Sequence, residues 1–175
     1  MKRLEWLIKK AAHSRIYLGL LNMLLHRMVP FNKPHGLRVT GFSLDENGFM
    51  SEVQVMLPYR KVNMNHIRGT HAGGLVTLCE YTSGLPILFN ISSDEYRIIL
   101  SRICIDYHYQ AKSDVTAVFS LTKEWIEKEI RTPLKKEEKI LVEVPVKVFD
   151  VSGNHVCTGM ITWQIKNWKN VKTKF

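Results

Sequence analysis

The chain has 175 residues, 45% of them hydrophobic and 23% charged, the balance of one globular domain large enough to bury a core. Its formal net charge of +9 invites an anionic partner: nucleic acid, a membrane surface or a phosphate-bearing small molecule. The basic residues are spread over both termini and several loops rather than clustered beside aromatics, which argues against nucleic acid.

In chain order, Leu4, Leu7, Ile8, Ala11 and Ala12 fall at helical spacing and predict an amphipathic helix over residues 1–29. Its second half, residues 16–25, is apolar. That run is about half the ~20 residues a membrane span needs, and residues 26–30, HRMVP, offer no small-residue cleavage site. A helix packed across the domain or a partner, ending near Pro30, is therefore expected, and a membrane partner is not. From Gly36 the period changes to strand, turn and strand around residues 45–48, DENG. Further strands are expected at 97–109, 115–121, 140–149 and 155–165, with Pro145 marking an edge or bulge. Residues 123–131 read as a short helix, and 135–139 as a solvated charge run.

Between the strands lies NHIRGTHAGGLVTLCEYTSGL, residues 65–85. A helix is expected from near His71, weakened or ended by Gly84 and Pro86. Between Arg68 and Asp94 the only formally charged side chain is Glu80. A lone carboxylate in an apolar helix is costly to bury and is usually kept for chemistry or for one buried partner. Cys79, Cys104 and Cys157 lack CxxC spacing, and read as reduced, buried thiols of a cytoplasmic protein. An anionic neighbour at Glu80 would raise the Cys79 thiol rather than activate it. His66, His71 and His108 have no metal-ligand spacing, so no metal is expected.

One largely antiparallel sheet wrapped around a single apolar helix accounts for this order of elements. That layout and the segment NHIRGTHAGGLVTLCE resemble the hotdog-fold acyl-CoA thioesterase superfamily, closest to a thioesterase-like branch of unknown function. The resemblance implies an α+β hotdog domain over residues 31–175, with an extra N-terminal helix, 1–30, packed on it. It also implies roles for Asn65, His71, Ala72, Gly73 and Glu80, with Ala72 standing where the enzymes usually carry glycine.

The physics of the segment agrees. Free amides and the positive dipole end at a helix start make an oxyanion site. The Ala72 and Gly73 amides would polarise a thioester carbonyl, while Glu80 acts as base or nucleophile and Asn65 orients water or substrate. His71 serves either as a cap or in the chemistry, and Asn65 has an ordinary turn role as its alternative. Glu80 lies eight residues beyond Ala72, about 12 Å along a helix. One carbonyl cannot meet both from one chain, which predicts a site shared across a homodimer, or a dimer of dimers. Arg60, Lys61 and Arg68 flank the motif and either receive the phosphates of coenzyme A, present only as part of the substrate, or are solvated surface charge. Competing readings are an acyl-CoA or fatty-acyl binding module without turnover, and a β-hydroxyacyl thioester dehydratase using His66 and Glu80.

Overall fold

The computed structural model describes residues 2–171. Residue 1 of the expected N-terminal helix and residues 172–175 of the expected domain lie outside the described residues. In chain order come α1 (Lys2–Ala11), α2 (Arg15–Met28), a single turn α3 (Asn32–His35), β1 (Arg38–Leu44) and β2 (Met50–Leu57). Then follow α4 (Ala72–Ile91), β3 (Tyr96–Tyr107), β4 (Val115–Ser120), α5 (Lys123–Ile126), α6 (Thr132–Leu134), β5 (Lys139–Asp150) and β6 (His155–Asn167). A π-helical turn, Glu127–Arg131, joins α5 to α6.

The strands form one antiparallel sheet in the order β1-β2-β4-β5-β6-β3, and α4 crosses its inner face. Strict alternation puts Ile140, Val142, Val144, Val146 and Val148 of β5 inward, and Cys157, Gly159, Ile161, Trp163 and Ile165 of β6 beside them. Leu75, Leu78, Cys79, Ile87 and Ile91 of α4 close the core from the other side. The β4–β5 ladder covers only Lys147–Asp150 of β5. Pro145 therefore sits where β5 is paired on one side alone, the position its missing N–H requires.

Three expectations need correction. The N-terminal segment is two helices rather than one, parted at residues 12–14, and its apolar run is only partly covered: Leu21 is buried, but Ile16 is 77% and Met23 67% exposed. Gly84 and Pro86 do not end α4, which continues to Ile91. A helical proline costs about 3 kcal/mol. Ile87 and Ile91 beyond it are buried to 0% and 2% exposure, and at roughly 1.5–3 kcal/mol each they outweigh that loss. Gly84 has a packing role, because a Cβ there would stand 2.9 Å from the Trp163 ring. The third correction is Cys104, which is exposed. A bulge between Leu100 and Arg102 shifts the phase of β3 by one residue. Ile98 and Leu100 face the core before it, Ile103 and Ile105 after it, and Cys104 turns out.

The two sheet edges are treated differently. On β1, the Asn22 side chain of α2 donates to Val39 O (2.9 Å) and accepts from Val39 N (2.7 Å), standing in for a neighbouring strand. The other edge is β3, twelve residues long, and no strand of the described residues pairs with its outer side.

Candidate active site at the start of the central helix

The helix start is built by the loop before it. Buried Asn63 donates through Nδ2 to His35 O and Pro58 O, both at 2.8 Å, and its Oδ1 meets His35 Nδ1 at 3.0 Å. The Asn63 carbonyl accepts from His71 N (2.8 Å), and Thr70 N donates to Ala111 O (2.9 Å). This fixes His71 as the N-cap, with φ −67° and ψ 136°. Replacing Asn63 by alanine strands two partly buried carbonyls and should cost about 1–3 kcal/mol, measured by urea denaturation.

His71 Nδ1 accepts from Gly73 N at 3.0 Å, so the neutral ring carries its proton on Nε2. That bond takes one of the two amides expected to polarise a carbonyl. The other belongs to exposed Ala72, whose N–H meets no acceptor among the described residues. The paired glycines are explained by space: a Cβ on Gly73 would press on His71 Nδ1 at 3.2 Å, and one on Gly74 on Leu57 Cδ2 at 3.0 Å. A cavity of about 230 Å³ opens here, walled by His35, Leu37, Asn63, His71, Gly73 and Thr77.

Glu80 is half-buried and makes no ion pair or side-chain hydrogen bond among the described residues. Burial holds its pKa above the ordinary 4.5. Below 4.5 both folded and unfolded chains carry a neutral acid. Above the folded value the native state holds a carboxylate it disfavours, so stability falls as pH rises through that window. Glu80→Gln removes this dependence. Its Tm advantage over the parent should open as pH is raised above about 4.5 and then level off; a constant gap from acid to neutral pH would contradict the burial of Glu80.

The remaining sequence-derived residues are placed as follows. Asn65 is a turn residue: its Oδ1 accepts from Ile67 N (3.1 Å) and Gly69 N (2.8 Å). Arg60 donates to Pro34 O at 2.8 Å. Lys61, His66 and Arg68 are exposed, and Arg68 has a left-handed φ of 57°. Cys79 is buried, and a hydrogen bond with Cys157, followed by burial, drives its thiol upward, which disfavours the thiolate. Sequence reasoning missed His35, Asn63 and Thr77. Only Thr77 carried a signal, since residues 73, 77 and 80 share one helical face.

A family model described as a domain of unknown function, DUF4442, matches residues 19–165. The chain belongs to the DUF4442 family. Three solved structures show how the DUF4442 chain folds. A Pseudomonas aeruginosa protein of unknown function, described as a "probable thioesterase", is 23% identical, with a TM-score of 0.74 over 85% of this chain and 95% of its own. A Chlorobaculum tepidum protein of unknown function is 10% identical, with a TM-score of 0.68 over 89% and 98%. A Haemophilus influenzae thioesterase is 15% identical, with a TM-score of 0.61 over 86% and 90%. No curated protein matches the sequence. The DUF4442 chain thus has the α+β hotdog fold, with its sheet around one central helix.

Proposed function

We propose that this protein hydrolyses acyl-CoA or acyl-carrier thioesters at a site shared by two copies of the chain. The observation that carries the reading is Glu80, a half-buried carboxylate without a partner among the described residues, on the same helix as an amide-bearing N-terminus. Its pKa, raised by burial, makes the ionised carboxylate a stronger proton acceptor than an exposed glutamate. The Ala72 N–H polarises the thioester carbonyl, Glu80 takes a proton from the attacking water, and the C–S bond breaks to release a carboxylic acid and a thiol. His71, which lines the same cavity, keeps its Nε2–H as a further donor.

The distance from Ala72 to Glu80 along α4, about 12 Å, calls for one group from each subunit. The uncovered edge of β3 supplies the surface for a homodimer through sheet continuation, in contrast to the Asn22-capped edge of β1. Lys61, Arg68 and the remaining donors of Arg60 would meet the phosphates of coenzyme A. The thioesterase descriptions of the Pseudomonas and Haemophilus proteins favour the same chemistry.

A second reading is a binding module that holds an acyl thioester without turnover. It is favoured by the Gly73 amide, which His71 has already taken, leaving a single main-chain donor at the helix start. Thiol release from short-, medium- and long-chain acyl-CoAs tests both. Hydrolysis lost in Glu80→Gln supports the proposal, and tight binding with no turnover of any substrate supports the module. Hydration of a crotonyl thioester without hydrolysis would point to a dehydratase using His66.

A further inference from the structure

A second cavity lies at the other end of α4. It measures about 670 Å³, within the size range of small-molecule sites. Its walls come from α1 (Ile8), α2 (Leu21, Leu25), β1 (Phe42) and the second half of α4 (Leu85, Phe89). Leu85 is thirteen residues beyond Ala72, about 20 Å along the helix, so this space is separate from the cavity at the helix start.

The cavity does not end in apolar walls. It shares Phe89, Asn90, Glu127 and Arg131 with an adjoining cleft of about 540 Å³, whose rim adds Lys9 and Lys123. The described side chains lining the two spaces include four cations, Lys9, Lys123, Arg131 and Lys135, and two carboxylates, Glu95 and Glu127; Lys123 is also paired with Asp45 beside the cleft, which leaves one cation in excess. Arg131 and Lys135 both lean on the single carboxylate of Glu127, at 3.9 and 3.4 Å. An apolar chamber opening into a cleft with excess positive charge matches one class of molecule: a hydrocarbon chain ending in an anion.

We propose that this double cavity binds a single-chain fatty-acyl amphiphile, the chain beneath α1 and α2 and the anionic head group against Arg131 and Lys9. The α1–α2 pair is then the roof of a lipid site. Such binding is independent of thioester hydrolysis, and either property can fail without the other.

Titration calorimetry of the full chain with palmitate and with 1-palmitoyl lysophosphatidate tests the site and distinguishes carboxylate from phosphate heads. Saturable one-to-one binding of either is expected. Affinity should fall about fourfold for each methylene removed, the equivalent of ~0.8 kcal/mol, and at least about tenfold for the uncharged methyl ester. Leu25→Trp, which fills the chamber, should abolish binding and the ligand-induced rise in Tm. Should that variant not fold, Lys9→Glu and Arg131→Gln provide the second measurement, weakening palmitate selectively over its methyl ester. Glu80→Gln and Ala72→Pro should bind palmitate as the parent does. The proposal is overturned by absence of saturable binding to either amphiphile, by equal binding of the methyl ester, or by loss of binding in Glu80→Gln. Adsorption to two-chain phosphatidylglycerol vesicles without binding of the monomeric amphiphiles would also overturn it.

Discussion

Glu80→Gln and Ala72→Pro should each lower kcat for thioester hydrolysis by about two or more orders of magnitude, and mixing them should bring activity back. Loss of a general base is worth about 10²–10⁴-fold, and loss of an oxyanion donor about 10²–10³-fold. Ala72→Pro is a clean deletion of that donor. Proline at the first helical position lacks only an N–H with no helical partner, and His71, at φ −67° and ψ 136°, already has the extended backbone that precedes proline. The helix should survive, with Tm close to the parent value. After subunit exchange about half the dimers are hybrids, each with one of its two sites whole, so about a quarter of parental activity should return. If both groups act within one chain, no activity returns. Exchange is confirmed by native mass spectrometry of the mixture, so a null result tells against the shared site.

Trp163→Ala should destabilise the fold by about 3–5 kcal/mol, the usual cost of truncating a large buried aromatic. Trp163 is 7% exposed, its ring lies under Gly84, and its Nε1–H donates to Ser83 Oγ at 3.0 Å. Ser83 passes that link on to the carbonyls of Cys79 and Glu80, at 3.1 and 3.2 Å. Trp163 thus sets the height of α4 over β6 at the turn that carries Glu80. The complementary change, Gly84→Ala, puts a methyl group 2.9 Å from the ring and should cost about 1–3 kcal/mol by overpacking. Denaturant midpoints check both. A loss below about 1 kcal/mol for Trp163→Ala would mean that α4 is not seated on this ring.

Much of the architecture is legible in residue order. The five alternating inward residues of β5 and the five of β6 announce a sheet with one buried face. A helix whose sole charge is Glu80 must lie against that face. The site is less legible, because hydrogen bonding decides it. The sequence leaves Asn65 and His71 open between chemistry and a structural role; in the fold Asn65 Oδ1 accepts from its own turn, and His71 Nδ1 accepts from the Gly73 amide. Asn63 carries no motif, because its role is to satisfy backbone groups contributed by Pro58 and His35.

The strand periods, the central helix and the isolation of Glu80 are set by local spacing and the cost of burying charge. That α4 runs through Pro86, that Cys104 faces solvent, and that β1 is capped while no described strand covers β3 emerges only on folding. So does the lipid-sized chamber beneath α1 and α2. Each of those outcomes depends on groups far apart in the chain: Ile87 and Ile91 against the core, a bulge that shifts β3 by one residue, and Asn22 bonded to Val39. Local preference loses there to burial and to backbone hydrogen bonds that only folding brings together.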